Sequence, residues 1–128
     1  MDEDRRAELI AAADDLMERY HAAFQHGSRA DLEALVHLPV IYVTETDVRV
    51  CDRYPFDPAK LRANAEFHHA ETTTTYEHLE PTRIHAVIAG TRHRADGSKI
   101  ESIESFYILQ DRGDGWKVAV FSGIRGAR

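Results

Sequence analysis

The chain of 128 residues has a single cysteine, Cys51, so it has no internal disulfide and no thiolate cluster of the kind that holds structural zinc. It lacks any apolar run of the roughly 20 residues needed to span a bilayer as a helix. The opening Met1-Asp2-Glu3-Asp4 is acidic where a secretory signal is basic and then apolar, which points to a soluble, cytoplasmic protein. A basic stripe is missing as well. The 16 Lys and Arg are outnumbered by 22 Asp and Glu, the formal charge is −6, and the charges are dispersed, all of which argues against nucleic acid as a partner. Gly-rich phosphate loops, nucleophile elbows and dinucleotide fingerprints are absent, so no cofactor is expected. The 8 histidines include no H-x-x-x-H or H-x-H pair, and no metal site is expected either.

What is present is enough for one domain over residues 1–128, with 43% hydrophobic content to fill a core. The patterning changes once. Leu9, Ala13, Leu16, Tyr20 and Phe24 recur at spacings of three and four, which predicts a long amphipathic helix that starts in the acidic first turn and stops at Gly27. Ser28-Arg29-Ala30-Asp31 has the form of a capping box and opens a shorter helix through Leu32, Leu35 and Val36, which Pro39 would end. Asp57-Pro58, a cap followed by proline at the first helical position, starts a third helix through Leu61 and Ala65 to about His68.

Strand signals fill the remainder. Val40 to Thr44 is β-branched and aromatic, and Val48 to Val50 follows as its short partner across Glu45-Thr46-Asp47. Turn residues divide the chain after Thr72 into strands near 72–79, 82–92, 98–110 and 116–124, with Asp96-Gly97 as a strong hairpin turn. Three helices before a mainly antiparallel meander define an α+β fold in which the helices cover one face of a curved sheet.

The run Ile100-Glu101-Ser102-Ile103-Glu104-Ser105-Phe106-Tyr107-Ile108-Leu109 carries the most chemistry. Alternation groups Glu104 with Ile100, Phe106 and Ile108, so a carboxylate would sit in apolar company, either paired or kept protonated as a donor. The opposite face, with Ile103, Tyr107 and Leu109, is apolar too: in the other phase Glu104 points to solvent, and since one domain can cover only one apolar face, these three residues are the expected contacts of a homodimer through the outer sheet face. Tyr20 lies on the core stripe of the first helix, either as a packed tyrosine with a satisfied hydroxyl or as a donor into a pocket.

The order of elements and these strings resemble the nuclear transport factor 2-like superfamily, with its SnoaL-like cyclases and ketosteroid isomerases, over essentially the whole chain. The resemblance implies a cystatin-like cone: a strongly bent sheet wrapped around the long first helix, a pocket at the open end, and pairing of two copies through the outer sheet face. Leu16-Met17-Glu18-Arg19-Tyr20 resembles the segment carrying the oxyanion-hole tyrosine of the isomerases, and Ile100-Glu101-Ser102-Ile103-Glu104 the strand carrying their protonated acid. The general base falls closest to Glu45. By that reading Tyr20, Glu45 and Glu104 are the candidate catalytic residues, and Phe24, Val43, His68 and Phe106 the candidate ligand contacts. Two departures argue against steroid isomerisation itself: Glu stands for Asp at both acidic positions, and Val36-His37-Leu38-Pro39 lacks the acidic residues found there in isomerases. The expectation is a small cofactor-independent isomerase, cyclase or hydratase that moves a proton on an apolar carbonyl compound. The alternative is a non-catalytic ligand-binding or dimerisation module of the same fold.

Overall fold

The computed structural model describes residues 1–64 and 68–125. The first helix, α1, runs Glu3–His26. Asp2 caps it by accepting a hydrogen bond from the Arg5 amide at 2.7 Å, and the acidic first turn complements the helix dipole. Its stripe of Leu9, Ala13, Leu16, Met17, Tyr20 and Ala23 is buried, as the spacing predicts. At Gly27 the helix stops because the chain doubles back tightly. A Cβ there would lie 2.6 Å from the Asp31 carboxylate and 2.9 Å from the Ala23 carbonyl.

The capping box at Ser28 and Asp31 is present and opens α2, Arg29–Glu33. This helix is shorter than the sequence suggested. Leu35 and Val36 do not continue it, because Val36 already pairs with Val118 and β1 runs Val36–Val43. Tertiary pairing overrides the helical spacing here. The strand β2 (Val48–Cys51) returns antiparallel to β1, and α3 covers Pro58–Asn64. The expected continuation of α3 through Ala65 lies outside the described residues, and His68 is no longer helical.

The remaining strands are β3 (His69–Glu80), β4 (Arg83–His93), β5 (Lys99–Asp111) and β6 (Trp116–Arg125). They form the antiparallel meander that the turn signals predict, including a left-handed Gly97 in the Asp96-Gly97 turn. A parallel pairing of β1 with β6 joins everything into one six-stranded sheet of order β2-β1-β6-β5-β4-β3. Among the described residues no helix is long and apolar enough to cross a membrane.

The concave face of the sheet takes Ile84, Ala86 and Ile88 from β4, Tyr107 and Leu109 from β5, and Val118 and Phe121 from β6, all buried with the α1 stripe. His37 is buried at the start of β1, where its Nε2 donates to the Gln110 carbonyl at 2.8 Å, so its role is to tie β1 to β5.

Candidate functional site

The concave face closes around a cavity of about 240 Å³, with a side cleft of about 70 Å³ that shares Phe24, Arg92, Ile103, Ser105 and Tyr107 with it. Such a volume falls below the roughly 300 to 1,000 Å³ of pockets for drug-sized ligands, so it has room for a small compound at most.

Aromatic rings build one wall. Tyr42 stacks on Phe121 with ring centroids 4.8 Å apart, Tyr54 stacks on Phe121 at 5.4 Å, and Phe56 stands edge-on to Tyr42 at 5.2 Å. Tyr54 and Phe56 come from the segment between β2 and α3, which α2 holds in place. Glu33 accepts from the Tyr54 amide at 3.2 Å and from Arg53 at 3.2 Å, while Arg29 donates to the Phe56 carbonyl at 3.2 Å. The Arg53 guanidinium keeps the Glu33 carboxyl below its ordinary range. The short second helix therefore positions two of the pocket's rings.

The opposite wall is polar. Arg92 of β4 pairs in register with Glu101 of β5, their charged atoms 2.7 Å apart and their side chains 34% and 24% exposed. Only partly withdrawn from water, the ion pair is still screened by solvent, but it sets a guanidinium at the cavity lining. In the side cleft His21, the neighbour of Tyr20 on α1, is partly buried. Burial pushes its imidazole below the usual value, so it is neutral at neutral pH and available to take a proton.

Tyr20 is buried at 2% exposure, and its hydroxyl bonds that of Tyr54. Burial, reinforced by the neighbouring Tyr54 and Tyr107, raises its pKa well above the ordinary phenol value. The hydroxyl is thus a proton-bearing group already engaged with another tyrosine. Glu104 is exposed. It borders the cavity between Ile103 and Ser105, and alternation with these two and its pairing with Ala89 put its side chain on the convex face. The phase that grouped Glu104, Phe106 and Ile108 inside the cone is corrected: the concave residues are Glu101, Ile103, Ser105, Tyr107 and Leu109. Val43 shows the same one-residue slip, since its neighbour Tyr42 faces the cavity. Glu45 is exposed in the β1–β2 turn, where the Thr44 hydroxyl accepts from the amides of Thr46 and Asp47 at 3.3 and 3.0 Å. His68 is exposed with its Nδ1 3.0 Å from that of His69. Of the candidate set, Tyr20, Phe24 and Glu104 border the cavity or its side cleft, and Val43, Glu45, His68 and Phe106 do not. His21, Tyr54, Phe56, Arg92 and Glu101 were missed. For Arg92 a signal existed: it extends the alternation Ile84, Ala86, Ile88 by two steps.

No family model matches the chain, and no curated protein matches it. Solved structures do. A domain of unknown function with a cystatin-like fold from Nostoc punctiforme aligns over 94% of this chain and 79% of its own at TM-score 0.71 and 9% identity. A scytalone dehydratase-like protein of Novosphingobium aromaticivorans aligns over 97% and 88% at TM-score 0.68 and 13% identity. The hexachlorocyclohexane dehydrochlorinase LinA-type3 of Novosphingobium barchaimii aligns over 98% and 92% at TM-score 0.65 and 12% identity. The chain has the nuclear transport factor 2-like, cystatin-like cone fold. At these identities the likeness concerns the fold, and chemistry has to be argued from the site.

Proposed function

We propose that the cone binds a small apolar ring compound carrying a carbonyl oxygen and moves a proton on it, as an isomerase, cyclase or hydratase does. The observation that carries this reading is the Arg92–Glu101 pair in a cavity with an aromatic wall, with the neutral His21 in the adjoining cleft. Arg92 would donate to the oxygen as it gains charge, and His21 would take the proton. The aromatic wall would hold the ring. A dehydrochlorinase and a dehydratase-like protein among the structures of the same fold agree with this reading.

The test pairs binding with exchange. A thermal-shift screen of cyclic enones and hydroxyaryl ketones should find compounds that stabilise the native chain, and Arg92→Met should remove that stabilisation. With such a ligand bound, deuterium exchange beside the carbonyl, followed by NMR, should fall on the order of 10²- to 10⁴-fold in His21→Asn. Its pH profile should be flat above the ordinary histidine range and decline only below about 6.5, because the lowered pKa of His21 keeps the base free to more acid pH. Exchange unchanged by His21→Asn would sink the catalytic reading.

The second reading is a binding or dimerisation module without catalysis. The Tyr20–Tyr54 bond favours it, since the donor best placed on α1 is already committed to a protein partner. Under both readings we propose a homodimer through the convex sheet face.

A further inference from the structure

The convex face of the β3–β4 hairpin gathers three metal-ligating side chains at one end. His69 opens β3 and pairs directly with His93 at the end of β4, while Glu71 stands two residues along β3 on the same face. The rings of His69 and His93 stack, with centroids 4.9 Å apart and planes inclined by 13°. The Glu71 carboxylate lies 4.0 Å from Nε2 of His93, and one donor atom from each residue lies within 4.8 Å of the other two.

His93 is already arranged as a ligand. Its Nδ1 lies 3.2 Å from the Gly97 carbonyl, which can only accept, so Nδ1 carries the proton and Nε2 the lone pair. That Nε2 is shielded from solvent and has no hydrogen-bond partner among the described residues. A buried lone pair without a donor is costly, and a cation removes the cost. A carbonyl on the far ring nitrogen is also the usual way in which a ligating histidine is oriented.

We propose that His69, Glu71 and His93 form a binding site for a divalent transition-metal ion, with Zn²⁺ as the best match. Two imidazoles and one carboxylate suit zinc and its neighbours, whereas Ca²⁺ and Mg²⁺ call for six or more oxygen or water ligands. Tetrahedral zinc with bonds of about 2.1 Å places its ligands about 3.4 Å apart, so the observed spread closes by side-chain rotations of about 1 Å. A water molecule or the adjacent His68 completes the shell. The ion would act on the pocket from behind: Ala70 and Arg92, which alternate with the ligands, line the side cleft, so pinning His69 to His93 fixes that wall. The separation of the ligands over two strands explains why no metal spacing stands in the sequence.

The test uses the full chain, stripped with chelator and titrated with Co²⁺, then displaced with Zn²⁺. The expected result is one Co²⁺ per chain with the visible absorption of a tetrahedral site, lost on adding Zn²⁺. Glu71→Gln and His93→Ala should each weaken binding by at least about 10-fold, whereas His26→Ala on α1 should leave it unchanged. Glu71 is 77% exposed, so its variant keeps the fold even if that of His93 does not. Absence of stoichiometric binding, or binding that Glu71→Gln leaves intact, would overturn the proposal.

Discussion

At the scale of single residues the interior is organised by hydroxyl-bearing rings. Tyr20 meets Tyr54 through its hydroxyl and Tyr107 edge-on, with centroids 5.4 Å apart, and burial raises the pKa of all three. Replacing Tyr20 with Phe keeps the ring packing but leaves the Tyr54 hydroxyl without its buried partner. The expected loss is about 1 to 3 kcal/mol of stability, read from urea unfolding with an unchanged slope. A neutral result would mean that the hydroxyl is satisfied elsewhere. Tyr20 was legible as a buried helix position because spacings of three and four are unambiguous. The acidic residue was not. Both faces of β5 are apolar, so alternation alone gives two phases of equal merit, and only the pairing of Arg92 with Glu101 separates them.

At the scale of elements, the β4–β5 hairpin shows how that ambiguity was open to resolution. The turn around Asp96-Gly97 pairs His93 with Lys99 and a register shift just beyond it brings Arg92 opposite Glu101, while Ile84, Ala86 and Ile88 fix the concave phase of β4. Carrying that phase across the turn puts Glu101 inside and Glu104 outside. The boundary between α2 and β1 was beyond local pattern, because Val36 leaves the helix for a parallel partner more than eighty residues away, Val118. Gly90 marks another close approach. It faces the concave side between Ile88 and Arg92, and a Cβ there would press on the Glu71 carbonyl and the Thr72 side chain of β3. Backbone cannot yield as a flexible side chain does, so Gly90→Ala should cost about 1 to 3 kcal/mol. Thermal unfolding checks this, and an unaltered midpoint would show that β3 shifts freely at this point.

At the scale of the whole molecule the outer sheet face is unusually apolar for a chain of net charge −6. Val48 and Val50 on β2 are 67% and 66% exposed, and Ile41, Val120, Ile108 and Phe106 continue the patch across β1, β6 and β5. Exposed apolar patches of this continuity mark interaction surfaces, and a self-complementary face gives a closed pair. The contacts expected from the sequence, Ile103, Tyr107 and Leu109, are on the other face: Tyr107 and Leu109 are buried and Ile103 lines the cavity. The same slip that moved Glu104 outward therefore moves Phe106 and Ile108 into the proposed interface. Sedimentation velocity at micromolar concentration should give a dimer. Val48→Glu with Val50→Glu should give a folded monomer, since both side chains are largely exposed in the protomer and two facing carboxylates on each copy would repel. A strict monomer of the unaltered chain, or a dimer that survives both charges, would place the interface elsewhere.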